Sequence, residues 1–235
     1  MQNIQTNESV KLSDLLPEAF SDCREQHAAS DIWMQPEVEI RPGDRLLLRA
    51  ASGNGKSSLC SFIYGLRRDY SGEILINGKN VKALSANELA AIRQSMIAFL
   101  PQDMKLFGEL TATENIQLKN RLTASQSSAA QGRAKGFKSN DEIAEMLDAV
   151  GLTGFESRRC DHLSIGQQQR VAVVRTLCQP FHYLLLDEPV SHLDEASNRA
   201  VARLVDREIT ARGAALIVTS VGNDLDMPGL RILNL

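Results

Sequence analysis

The chain is poor in several things that would point to particular functions. Its four cysteines, Cys23, Cys60, Cys160 and Cys178, are scattered with no C-x-x-C pair, which removes a clustered thiolate metal site and predicts a reduced, cytosolic protein. No stretch approaches the roughly 20 consecutive apolar residues that a membrane-spanning helix requires, so any membrane role is expected to run through a partner. No opening run joins a basic end to an apolar stretch. Positive charge is in slight deficit, with 26 Lys and Arg against 29 Asp and Glu. That leaves no basic excess to follow a phosphate backbone, and nucleic acid is not expected as a partner. Aromatic residues make up only 5% of the chain, and Trp33 is the single tryptophan.

What is present is a core. At 43% hydrophobic over 235 residues, the composition predicts one α/β domain spanning 1–235. The first thirty or so residues read as polar and irregular, with weak strand potential at Val10 to Leu12. Together with Val38 to Ile40 and the turn at Arg41-Pro42-Gly43-Asp44, they read as an edge region of antiparallel strands. Leu46 to Leu48 is a short apolar run, followed by the small-residue segment Ala50 to Gly55 and the helical stretch Lys56 to Leu66. Glu73 to Ile76 before Asn77-Gly78 predicts a hairpin strand, Asn87 to Gln94 a short helix, and Met96 to Leu100 a buried strand stopped by Pro101. Thr113 to Leu177 reads as mostly helical, interrupted by a mobile surface loop over Thr123 to Asn140 that lacks any apolar period. Leu184 to Leu186 and Ala215 to Val218 read as strands buried on both sides, joined by a crossover helix over Glu195 to Arg212.

Two segments carry chemistry, the second only in company with the first, since two acids after a strand are by themselves more often a solvated turn. Ala50-Ala51-Ser52-Gly53-Asn54-Gly55-Lys56-Ser57-Ser58 has the strand–loop–helix setting of a phosphate-binding loop. Backbone N–H groups there can wrap phosphates, Lys56 supplies charge, and the Ser57 hydroxyl is a candidate Mg²⁺ ligand at a helix N-terminus. Leu184 to Leu186 ends in Asp187 and Glu188, an acid suited to a Mg²⁺ water shell and an acid suited to polarising an attacking water. A third segment, His162-Leu163-Ser164-Ile165-Gly166-Gln167-Gln168-Gln169-Arg170, reads equally well as an ordinary helix capped by Ser164 with a polar first turn.

The order of the motifs decides between those readings. The third segment resembles the signature, usually Leu-Ser-Gly-Gly-Gln, of ATP-binding-cassette ATPases. Ile97 to Asp103 looks like that family's Q-loop, Leu110 to Ile116 like the segment that follows it, and Ser191-His192-Leu193-Asp194 like its D-loop. The resemblance runs from Arg41 to the C-terminal end. It implies a RecA-like P-loop NTPase core with an antiparallel β-subdomain and an inserted α-helical signature subdomain over roughly 113–178. It implies an ATPase using ATP and Mg²⁺, with Lys56, Gln102, Glu188 and, at the switch position, Ser220 catalytic, and Ser57, Gln102 and Asp187 near the metal. Ser164, Gly166 and Gln167 would face a nucleotide held by a second nucleotide-binding subunit, in a homo- or heterodimer. An integral membrane permease would be the working partner, placing the chain peripherally on the cytoplasmic face of the membrane. Asn87 to Arg93, Met96 to Gln102 and Leu110 to Ile116 look most like the branch serving lipoprotein release, macrolide export and cell-division permeases.

The chain departs from the pattern in three places. Ala50 and Ile165 stand where glycines are usual. Ser220, after Val218-Thr219, stands where the family has its switch histidine; serine can donate one hydrogen bond to phosphate but cannot carry positive charge. Slow turnover, or a heteromeric pair in which another subunit supplies the better site, is the expectation. The aromatic that would stack on adenine is expected near His27, with Phe20 and Trp33 as the other candidates. His162 and His192 lie within motifs but lack the spacing of a metal pair, and read as structural or solvated. Competing functions are a low-turnover regulatory or scaffolding cassette and a soluble translation- or repair-type ATPase. Glu188 argues against the first, and the lack of a second cassette or sustained heptads against the other.

Overall fold

A computed structural model describes residues 9–124 and 137–235. In chain order they form β1 (Val10–Pro17), β2 (Val38–Ile40), β3 (Arg45–Arg49), α1 (Lys56–Ile63), β4 (Tyr70–Ile76), β5 (Lys79–Asn80), α2 (Ala86–Ser95), β6 (Ile97–Leu100), α3 (Ala112–Ala124), α4 (Asn140–Ala149), α5 (Ile165–Leu177), β7 (Tyr183–Asp187), α6 (Glu195–Arg212), β8 (Ala215–Ser220) and β9 (Arg231–Asn234).

Five strands form a parallel sheet in the order β6-β7-β8-β3-β9. Because side chains alternate across a strand, this sheet feeds two cores. Leu47, Leu100, Leu184, Leu186, Leu216 and Val218 point into one, filled from α3, α4, α5 and α6. Leu46, Leu48, Phe99, Leu185 and Ile217 point into the other, which is closed by α1 and the antiparallel strands. Burial on both faces explains the continuous apolar runs in β7 and β8. The crossover α6 begins at Asp194, whose side chain accepts from Ser197 N at 2.7 Å, and ends at Gly213.

The second sheet is antiparallel, in the order β2-β1-β4-β5. Here the sequence misleads. Instead of a weak strand in an irregular edge region, β1 is eight residues long and lies between β2 and β4. A bulge between Ser13 and Leu16, with Asp14 at φ 48°, shifts the register within the strand. Leu12, Leu15 and Leu16 are all buried, yet the bulge breaks the period-two pattern that would reveal a strand. The helix expected over Lys56 to Leu66 stops at Ile63, and β9 was not anticipated at all.

Most of the loop expected over 123–140 lies outside the described residues; its described ends are the last residues of α3 and, through Ser139, the cap of α4. No helix among the described residues is long and apolar enough to cross a membrane.

Candidate functional site

The loop between β3 and α1 begins where the parallel strand ends and turns into the helix at Gly55, whose φ of 87° is a left-handed conformation. A Cβ at Gly55 would lie 2.9 Å from the Trp33 ring and 3.1 Å from Phe20, so the close approach admits only glycine. Trp33 is fully buried beneath the loop and donates from Nε1 to the Asn54 carbonyl at 3.3 Å. It is therefore a floor for the loop and not a platform open to a base. His27 is also buried, stacked on Phe20 with ring centroids 4.0 Å apart. Of the three aromatic candidates, Phe20 is the one that lines the cleft beside the loop.

That cleft, about 300 Å³, is lined by Phe20, Ser52, Gly53, Gly55, Lys56, Ser57, Ser58, Arg67, Gln102 and Glu188. Lys56 folds back to donate to the carbonyls of Ala50 and Ala51 at 2.7 and 2.9 Å. Burial pulls its ammonium below the ordinary lysine range, opposed by the nearby charges of Glu188 and Asp187. A wider cleft of about 770 Å³ opens between the loop and the start of α5, and Ser57, Gln102 and Asp187 line it together with Ile165, Gln168 and His192.

Asp187 ends β7 and Glu188 follows it. Asp187 is buried, and its Oδ1 accepts from the Thr219 hydroxyl at 2.6 Å. The Thr219 hydroxyl oxygen in turn accepts from Glu188 N at 3.0 Å. Glu188 sits at φ 51°, a conformation that costs a non-glycine residue on the order of 1–3 kcal/mol unless its surroundings hold it. They do: besides Thr219, the Gln169 amide donates to the Glu188 carbonyl at 2.9 Å. The carboxylate itself accepts from Gln102 Nε2 at 3.2 Å.

Ser164 caps α5 through a reciprocal box with Gln167: the Ser164 hydroxyl oxygen accepts from Gln167 N and Gln167 Oε1 accepts from Ser164 N. A Cβ on Gly166 would lie 2.9 Å from the His192 carbonyl, so α5 and the loop after β7 touch backbone to backbone. Ile165 is half exposed beside them.

Ser220 ends β8. It is buried at 2% exposure, its hydroxyl oxygen accepts from Gly222 N at 3.1 Å, and it lines a separate cleft with Arg49, Ala50, Ala51 and Asp224.

Sequence reasoning missed four residues that hold the site. Thr219 looks like one more residue of a buried strand. Gln169 is the last of three consecutive glutamines, and only its helical spacing to Val173 and Ala172 marks it as the inward one. Arg175 is buried and donates from α5 to the carbonyls of Met104 and Lys105, the two left-handed residues just past Gln102. Asn115, fully buried, bonds both the N–H and the carbonyl of Phe107 and so pins the same segment to α3. Arg175 belongs to no recognisable motif, and Asn115 lies in the Leu110 to Ile116 segment without a role that the sequence assigns it.

The ABC transporter family profile matches residues 34–191. The chain is 32% identical over 205 residues to the lipoprotein-releasing system ATP-binding protein LolD of Novosphingobium aromaticivorans, covering 87% of this chain and 88% of that protein. It is also 32% identical over 199 residues to the macrolide export ATP-binding/permease protein MacB of Rhodopseudomonas palustris and to the pyoverdine export ATP-binding/permease protein PvdT of Pseudomonas syringae. In both cases 85% of this chain is covered but only 29% of the relative. Among solved structures, the fold is shared with a dimeric post-hydrolysis state of the ATP-binding cassette MJ0796 bound to ADP and Pi, at TM-score 0.71 and 24% identity over 95% of this chain and 94% of that one.

Proposed function

The chain belongs to the ABC transporter family, and on that premise we propose that it is an ATP-binding and ATP-hydrolysing subunit. It couples MgATP binding in a head-to-tail pair of such domains to movement of a separate membrane permease. The observation that carries this reading is the Gln102–Glu188 hydrogen bond at the mouth of the cleft that Lys56 and the loop line. An acid held there by a neutral donor stays available to orient water, while the lysine and loop amides face the phosphates.

The residues fit the nucleotide. The 50–58 loop leads into α1 through the left-handed Gly55, the arrangement that presents amides to an anion. Ser57 and Asp187, with Gln102 beside them, offer an oxygen-rich set suited to Mg²⁺. Mg²⁺, when bound, would neutralise phosphate charge. Glu188 polarises the attacking water, Lys56 binds the terminal phosphates, and Phe20 is the aromatic placed to meet the base. Ser164, Gly166 and Gln167, at the N-terminus of α5 within a helical subdomain over roughly 113–178, face the phosphates held by the second subunit.

The likeness to LolD over nearly its whole length supports a separate permease partner, and hence a peripheral position on the cytoplasmic face of the membrane. The buried Ser220 hydroxyl favours a second reading, a low-turnover cassette that regulates or scaffolds the same kind of complex.

Titrating MgATP into the full chain while following Trp33 emission tests the binding step, and a saturable change is expected. Glu188→Gln should keep that change while losing about a hundredfold or more of the ATPase rate. Wild-type turnover dependent on Glu188, in a complex purified with a membrane protein, supports transport; a membrane partner without turnover supports scaffolding. No saturable association, in the chain alone or in its complex, refutes both.

A further inference from the structure

The cleft that holds Lys56 and Glu188 has a second cation on its wall, Arg67, which belongs to none of the motifs. The chain folds back as it leaves α1: the N–H groups of Leu66 and Arg67 both donate to the Ser61 carbonyl, at 2.8 and 3.4 Å. Arg67 therefore starts beside Ser61, and its side chain runs back one helical turn along the same face of α1 to Ser58. There Nη1 donates to the Ser58 hydroxyl oxygen at 2.9 Å. Asp69 takes the other edge of the fork, accepting from Nε at 3.0 Å and from Nη2, and the guanidinium carbon stands 5.2 Å from the centre of the Phe62 ring. An arginine paired with an aspartate two residues on is ordinarily a solvated surface pair of little consequence. This one differs in what it leaves over. Nη1 carries two hydrogens and Ser58 takes one, while the Ser58 oxygen, occupied by that bond, keeps its own proton to donate. Backbone pairing fixes which part of the cleft these donors face. The Asp69 carbonyl accepts from Glu18 N at 3.0 Å, and Glu18 leads directly into Ala19 and Phe20, which line the same cleft. Arg67 thus shares its side with Phe20, whereas Gln102 and Glu188 arrive from the ends of β6 and β7 in the parallel sheet.

We propose that Arg67 is a nucleotide-binding residue whose Nη1, together with the Ser58 hydroxyl that it orients, donates to the α-phosphate, the one nearest the base. The inference rests on the ATPase reading above and deepens it. Asp69 holds the fork before any ligand arrives, so little rotamer freedom is lost on binding. The α-phosphate is common to nucleoside triphosphate and diphosphate and takes no part in the bond that breaks. The contact therefore strengthens ground state and transition state alike, setting KM and leaving kcat alone.

The test compares the full chain, in the complex in which it is purified, with Arg67→Ala and Arg67→Lys. Trp33 emission reports the affinities for MgADP, for non-hydrolysable MgAMP-PNP and for the two isomers of ADP that carry sulfur on the α-phosphate. Arg67→Ala should weaken MgADP and MgAMP-PNP by the same factor, about tenfold, and raise KM to match, with kcat within about twofold of wild type. Arg67→Lys, which keeps a charged donor, should recover part of the loss. Wild type should prefer one sulfur isomer by about fivefold, because the guanidinium faces one of the two oxygens that sulfur can replace, and Arg67→Ala should bring the isomers within about twofold of each other. Affinities for MgADP and MgAMP-PNP within about twofold of wild type in Arg67→Ala overturn the inference, with the ATPase reading left intact. An isomer preference that is absent from wild type, or that Arg67→Ala leaves unchanged, also overturns it, because that result marks a structural role for the Ser58, Arg67 and Asp69 chain. If the unsubstituted chain binds neither nucleotide, both readings fall together.

Discussion

Gln102 and Glu188, 86 residues apart in sequence, meet side chain to side chain: the Gln102 amide donates to Glu188 Oε2 over 3.2 Å. The parallel pairing of β6 and β7 makes this possible, since Leu100 is in register with Leu186 and both strands end on the same side of the sheet. Two loops that look unrelated in sequence therefore open side by side.

Removing that contact should be felt in turnover more than in binding. A hydrogen bond to a charged group contributes about 1.5–3 kcal/mol, so Gln102→Ala is expected to lower kcat by about 10- to 150-fold with little change in KM. A steady-state ATPase rate within about twofold of wild type would show that Glu188 is oriented without it.

Thr219→Val keeps the shape of the side chain and deletes the hydroxyl. It leaves Asp187 Oδ1 without its donor and Glu188 N without its acceptor, one buried and one part-buried group at about 1–3 kcal/mol each. At about 2–4 °C per kcal/mol for a domain of this size, the melting temperature should fall by about 4–24 °C. Calorimetry on Thr219→Val and Thr219→Ser decides the matter, because the serine variant retains the hydroxyl and should melt near wild type.

Gly166→Ala sets two effects against each other. Alanine gains about 1 kcal/mol of helix propensity, but its Cβ would lie 2.9 Å from the His192 carbonyl, forcing the loop after β7 to move. We expect a melting temperature within a few degrees of wild type and an ATPase rate lower by about tenfold or more, since small misplacements near reacting groups are costly. Undiminished activity would mean that this loop position is slack.

Glu114 closes a capping box on α3: its Oε2 accepts from Thr111 N and from the Thr111 hydroxyl, both at 2.8 Å. The backbone bond first, and the hydroxyl second, hold its carboxyl below the ordinary range. A depressed folded-state value means the stabilisation is complete above the unfolded value of about 4.3 and disappears as pH falls through the folded one. The difference in melting temperature between wild type and Glu114→Gln should therefore be largest near neutral pH and shrink towards pH 3. A gap that stays constant across that range would contradict the assignment.

The parallel sheet was legible in the chain because strands buried on both faces announce themselves as unbroken apolar runs, as in Leu184 to Leu186. The phosphate loop and the acids at the end of β7 were legible because their chemistry fixes both residue type and spacing. β1 was hidden by its bulge, which moves Leu15 and Leu16 out of alternation with Leu12. The braces of the site were hidden for a different reason. Thr219, Gln169 and Arg175 act through contacts 19 to 71 residues away in the chain, and nothing local in the sequence encodes such distances.

Helix α5 is gripped at two points six residues apart. Gln169 holds the Glu188 carbonyl and the His192 amide, and Arg175 holds the carbonyls of Met104 and Lys105. At 1.5 Å per residue the two grips are about 9 Å apart along a stiff rod. Such a rod does not relay a signal link by link; it tilts or turns as one piece. Any swing of α5 therefore has to displace the acid-bearing loop and the glutamine-bearing loop in the same stroke, so that neither can be reset while the other stays in place.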